Sequence, residues 1–175
     1  MKQYEHKFQK FIEDNSLDAE LVPFNTLVDH KDNVLEAIKG MNISLDDCIK
    51  TIIFYDQDKP LLEGNAVAAI VPAMARVDKT KVKELCKSRI KIAGSEEVLK
   101  LTGYPAGGVP PFGFQARFYM DKSLVNLVDP TNKKNVENNV YAGGGSAYAL
   151  SKTKISEIIK SDSPIVEDII EKVTK

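Results

Sequence analysis

A chain of 175 residues, 43% hydrophobic and 28% charged, has the size and composition of one globular α/β domain with an ample core. Its 24 Lys and Arg against 25 Asp and Glu argue against gripping long nucleic acid through phosphate neutralisation, though not against holding one end of an RNA. No apolar run approaches the roughly 20 residues of a membrane span, and MKQYEHKFQKF lacks the apolar centre of a signal peptide, so a cytoplasmic protein with neither membrane nor DNA as partner is expected.

Tyr4, Phe8, Phe11 and Ile12 follow the spacing of an amphipathic helix that ends near Asn15 or Ser16. Glu20 to Phe24 reads as a short strand closed by Pro23. A helix is expected from about Asp32 to Lys39, with Gly40 as its stop. IKTIIFY, Ile49 to Tyr55, is rich in β-branched and aromatic residues and predicts a strand. Its return is Ala66 to Val71, ended by Pro72, so the two form a hairpin or meander. Asp78 caps a helix from Lys79 to Cys86, and Ser95 caps one from Glu96 to Leu101. Ala116 to Met120 and Leu124 to Val128 read as strands. DPTNKKNVENN is a polar excursion, and Asn139 to Ala142 is a strand running into Gly143-Gly144-Gly145. After a last short strand, Ala147 to Leu150, Ser151 caps a helix carrying Ile155, Ile158 and Ile159. Ser163-Pro164 starts a C-terminal helix with Ile165, Ile169 and Ile170 on one side. Strands arrive too close together for regular βαβ alternation.

Three features can carry chemistry. LTGYPAGGVPPFG, from Leu101 to Gly113, cannot propagate a helix or a central strand. A stiff loop of this kind can be a structural crossing. It can also hold backbone N–H groups ready for an oxyanion or a small polar ligand. Lys50 lies inside an apolar strand. It either points to solvent by period-two alternation, or faces inward as a costly charge that needs an anionic or carbonyl partner. The run Gly143-Gly144-Gly145 permits a tight bend or close approach of a ligand to backbone.

The basic segment KTKVKELCKSRIK, Lys79 to Lys91, reads as a solvated helix face. Cys48 and Cys86 are isolated and read as buried thiols. His6 and His30 are too few and too far apart for a metal site. There is no GxxxxGK[ST], GxGxxG after a strand, GxSxG or HExxH, so nucleotide hydrolysis, dinucleotide binding and serine or zinc hydrolysis are not indicated.

The order KTIIF, a strand ending near VP, RVDKTKVKEL, GYPAGGVPPFG, MDKSL and YAGGG resembles the YbaK and prolyl-tRNA synthetase-associated editing-domain family from about Asn42 to Ile159. Its most specific pieces are KTIIF and the loop, with the GxxxP element at Gly107 to Pro111. The resemblance implies a mixed, barrel-like sheet with surrounding helices in one domain, 1–175, with extra terminal helices. It implies hydrolysis, without a cofactor or metal, of the ester of an amino acid wrongly attached to a tRNA, acting in trans. The expected substrate is tRNA-Pro carrying Cys or Ala. The partners implied are the aminoacyl-tRNA acceptor end and a synthetase.

On this chain Lys50 matches the family lysine that holds the aminoacyl-adenosine end. Gly107 and Gly108 match the loop whose N–H groups face the scissile carbonyl. Pro111, Gly143 and Gly144 are expected to bind substrate, and His30, near the region where the first helix borders the pocket in this family, either lines the site or has a surface or capping role. Where prolyl-synthetase editing domains carry a histidine after the late glycine turn, this chain reads AYALS, with Tyr148. The alternative is a binding module of the same fold without the chemistry.

Overall fold

The computed structural model describes residues 2–23, 38, 40–125 and 137–172. The expected strand at β2 (Ile49–Asp56) forms and pairs antiparallel with β3 (Ala66–Pro72), Lys50 opposite Val71 and Phe54 opposite Val67. β2 also pairs with β4 (Ile90–Ile92) on its other side. β3 runs parallel to β5 (Ala116–Asp121), and β5 parallel to β8 (Ile165–Glu167). The result is a mixed five-stranded sheet in the order β4-β2-β3-β5-β8.

A second, three-stranded sheet has β7 (Ala149–Lys154) between β1 (Glu20–Pro23) and β6 (Asn139–Gly143). A single bridge between Cys48 and Tyr141 joins the two sheets. The expected α/β fold with a mixed sheet is therefore present, and among the described residues its strands form two sheets that meet at a seam.

Helices cover both faces of the larger sheet. α1 (Lys2–Asp14) buries Phe8 and Ile12 against Leu101, Tyr104 and Phe112, on the side that also takes Ile49, Ile53, Ala68 and Ile70. α2 (Lys79–Cys86) buries Val82 and Cys86 against Phe54, Val67, Ala69 and Val71 on the opposite side. Its cap is Asp78, whose carboxylate accepts the Thr80 and Lys81 N–H groups. α3 (Ser95–Thr102) is capped at Gly94 rather than Ser95, because the Glu97 carboxylate reaches back to the Gly94 N–H at 2.7 Å.

Other sequence expectations shift. Gly40 is itself helical, and the left-handed position falls to Asn42 (φ 56°). Most of the helix expected at 32–39 lies outside the described residues, as does the centre of the polar excursion. Leu124 does not begin a strand: the Asp121 carboxylate caps a 3-10 turn, Lys122–Leu124, instead. Ser151 is not a helix cap. It lies within β7, where its hydroxyl donates to the Gly143 carbonyl at 3.0 Å, and α4 (Ile155–Asp162) starts later.

Ser163-Pro164 starts no helix. Ser163 ends α4 in a left-handed conformation (φ 43°), and Ile165–Glu167 continues as the edge strand β8. Ile169 then inserts into the core, and its N–H donates to the buried Asp121 carboxylate at 2.9 Å.

Candidate functional site

At the seam between the sheets, where β2 begins, lies a cavity of about 330 Å³. Its polar contributions come from Lys50 and Thr51 on β2 and from Gly107 in the Gly/Pro loop, with Gly143 at the end of β6. The rest is apolar: Ile38, Leu45, Cys48, Val109, Tyr141 and Leu150. Three sequence-predicted site residues, Lys50, Gly107 and Gly143, thus converge from positions 57 and 36 residues apart.

Lys50 shares the sheet face of Ile52 and Phe54, the face covered by α2. It sits at the strand end, half-buried, with no carboxylate within ion-pair distance among the described residues. Burial, and after it the Arg76 guanidinium, hold its ammonium below the ordinary lysine range. The protein therefore keeps a cation at the cavity that is partly stripped of water and faces another cation. Such a group gains most from an anionic or carbonyl oxygen brought by a ligand.

Gly107 and Gly108 are neighbours with different surroundings. Gly107 is exposed, has φ +83°, and a Cβ there would meet nothing within 4 Å. Its N–H has no acceptor among the described residues. The Gly108 N–H is already donated to the Pro105 carbonyl at 3.0 Å, and its own carbonyl accepts from Gly145 N–H at 2.8 Å. A Cβ on Gly108 would lie 2.5 Å from the Ser146 backbone. Of the two N–H groups expected to face a substrate carbonyl, only that of Gly107 is unengaged.

The remaining residues support the cavity more than they line it. Gly143 packs against the Val109 carbonyl and Gly144 against the backbone of Ala149 and Leu150, each too closely for a side chain. Pro111 is buried beside Phe112, outside the cavity lining. His30 lies outside the described residues. The neighbouring Pro110 carbonyl accepts the Thr51 hydroxyl at 3.3 Å, tying the loop to β2 next to Lys50.

Other contacts had no signal in the sequence. The Ser146 hydroxyl donates to Glu5 of α1, so the first helix anchors the glycine turn. Cys48 lines the cavity because the seam bridge puts it there; as an isolated cysteine it carried no motif. Among the described residues no cluster of His, Cys, Asp and Glu could hold a metal, and no helix is long and apolar enough to cross a membrane.

A model of the aminoacyl-tRNA editing domain matches residues 29–160. The chain is 32% identical over 102 residues to the proline–tRNA ligases of Caldicellulosiruptor saccharolyticus and Caldicellulosiruptor bescii. That match takes in 56% of this chain but only 17% of each ligase. Among solved structures, hypothetical protein APE2540 superposes with a TM-score of 0.72 at 26% identity, over 94% of this chain and 99% of the other. A proposed trans-editing enzyme for prolyl tRNA synthetase superposes with a TM-score of 0.75 at 24% identity, over 97% and 98%. With a family model spanning most of its length, the chain belongs to the aminoacyl-tRNA editing domain family.

Proposed function

We propose that the chain acts in trans as an aminoacyl-tRNA deacylase, hydrolysing the ester of mischarged tRNA at the cavity between the two sheets. The observation that carries this reading is the convergence on one cavity of Lys50 and the Gly107 N–H, which among the described residues have no carboxylate partner and no acceptor respectively. In this reading the Lys50 ammonium holds an oxygen of the terminal aminoacyl-adenosine. The Gly107 N–H takes the carbonyl oxygen as it gains charge, the place where a fixed donor lowers a barrier most.

No histidine lies among the cavity's described residues, so water and the hydroxyl of the substrate's own sugar carry the proton transfers. Positioning and charge stabilisation suffice for such an arrangement. The mostly apolar lining suits a small, weakly polar side chain, and likeness to proline–tRNA ligases directs the substrate reading to tRNA-Pro carrying Cys or Ala. A synthetase that hands over the tRNA fits the near-neutral net charge.

The test is single-turnover deacylation of tRNA-Pro charged with cysteine or alanine, alongside a wider panel of mischarged tRNAs. Wild type should release the amino acid above the buffer rate. Lys50→Ala should lose on the order of 100-fold or more while melting no earlier than wild type. Wild type hydrolysing no ester of the panel, while binding a non-hydrolysable aminoacyl-adenosine analogue, would establish the binding module instead.

A further inference from the structure

Lys50 leads, on one side of the sheet, to a row of cations that the cavity does not use. β3 ends opposite Ile49, and the Ala73 N–H donates to the Cys48 carbonyl at 2.8 Å. The chain then passes Arg76, the guanidinium close enough to depress Lys50, and enters α2 at Lys79. α2 runs back over the face that Lys50 shares with Ile52 and Phe54. Beyond it, β4 places Ile90 opposite Asp56, at the far end of β2. The helix therefore starts near the cavity and travels away from it along the sheet.

Val82 and Cys86 face inward, which leaves Lys79, Lys83 and the C-cap Lys87 exposed along one flank. Successive residues four apart on a helix stand about 5–6 Å from one another. At 1.5 Å of rise per residue, the three cover about 12 Å. Among the described residues none of the three has a carboxylate within ion-pair distance.

Several lysines elsewhere are paired, though exposed Lys91 and Lys100 on other elements, like the flank, have no ion pair among the described residues. Lys152 and Lys154 are held by Glu20 and Asp18, Lys160 by Glu157, and on α2 itself Lys81 by Asp168. The acids near the flank are mostly committed: Asp78 to the helix cap, Asp58 to Arg89, and Asp56 to Arg117. Glu84 is the exposed carboxylate left on the helix. Lys83 and Lys87 also edge a shallow surface groove of about 450 Å³, whose other charged lining is Arg89 and the carboxylates of Asp56, Asp58 and Glu84.

A line of uncommitted lysines leading away from a cavity suits a regular, flexible polyanion, since each ammonium acts as a point charge that does not require a fixed partner geometry. We propose that the flank of α2 carrying Lys79, Lys83 and Lys87 docks the phosphate backbone of the substrate's acceptor stem while the cavity takes its aminoacyl end. This inference rests on the editing reading for its substrate and explains how a chain of net charge −1 still holds an RNA: the positive charge is local.

The experiment compares wild type, the triple variant Lys79→Gln, Lys83→Gln, Lys87→Gln, and the control Lys100→Gln, an exposed lysine on α3. Binding to a labelled pool of deacylated tRNA is followed by fluorescence anisotropy across a salt titration. The slope of log K against log salt should fall by about 3 in the triple variant, about one per phosphate contact, and stay put in the control. Hydrolysis of a minimal aminoacyl-adenosine ester should proceed at the wild-type rate in all three. Equal slopes for the triple variant and wild type, or no tRNA binding by wild type at about 50 mM salt, would overturn the proposal. Because the binding assay uses uncharged tRNA, it gives its answer even if wild type hydrolyses no ester. That second failure would count against the editing reading alone.

Discussion

The clasp behind the cavity and the rim in front of it are built from the same glycine-rich sequence, yet they are opposite kinds of structure. In the clasp, Gly108, Gly143 and Gly144 lie where a single added carbon would strike neighbouring backbone, and Ser146 is tied to Glu5. At the rim, Gly107 has open space around it and Lys50 has no counter-charge among the described residues. A single peptide bond, between Gly107 and Gly108, separates the two regimes in the loop. A glycine-rich stretch is therefore not one functional unit: part of it is packing that fixes the position of the rest.

The strongest way to break this contrast is Gly108→Ala. Its Cβ would sit 2.5 Å from the Ser146 Cα and C atoms and 2.6 Å from its N, all of them backbone. Backbone cannot rotate out of the way as a side-chain end can, so the loop and the turn must separate. The expected cost is about 3 kcal/mol, the upper part of the range for overpacking, or roughly 6–12 °C in Tm for a domain of this size. Activity should fall with it. A thermal melt indistinguishable from wild type would show that the two segments are not clasped.

Lys50 tests the other side of the comparison through pH. Its folded-state pKa lies below the ordinary 10.5 because burial and Arg76 oppose the charge. Between the depressed folded value and 10.5, the unfolded chain binds more protons at this position than the folded one, so wild-type stability relative to Lys50→Met should rise with pH across that window. Activity should go the other way. Once the buffer rate is subtracted, ester hydrolysis should decline as pH rises through the depressed value, since the neutral amine no longer holds an oxygen as strongly. Chemical denaturation of both proteins between about pH 7 and pH 10.5 reads the first effect, and single-turnover rates read the second. A stability difference that does not change with pH would mean that Lys50 is solvated like any surface lysine.

Much of the scaffold was legible in the sequence where local chemistry decides: the β-branched run of β2, the Asp78 cap and the amphipathic α1. Lys50's orientation was not. β2 is covered on both faces, Ile53 in one cluster and Phe54 in the other, so no alternation marks an outside. The C-terminus misled for a related reason. Ile165, Ile169 and Ile170 have helical spacing, and Ser-Pro is a common helix start. Pairing of Ile165 with Tyr119 and the hydrogen bond from Ile169 to Asp121 are long-range gains that no local window contains. In the site, the different duties of Gly107 and Gly108 depend on Ser146 and Pro105, one distant and one a turn partner.

Gly107→Ala has the smallest expected effect and sharpens the comparison most. The φ of +83° costs an alanine about 1 kcal/mol, or roughly 2–4 °C in Tm, with no collision to add to it. The substitution keeps the N–H, so a donor role predicts a rate within about tenfold of wild type, against the 100-fold or greater loss on removing a charge-stabilising group. Gly107→Leu keeps the N–H as well but fills the cavity's entrance, and it should raise KM while leaving kcat close to the alanine variant's. If Gly107→Ala melts as early as Gly108→Ala, the rim is packed like the clasp. In that case the open donor is a property of the free loop that the folded protein does not hold in place.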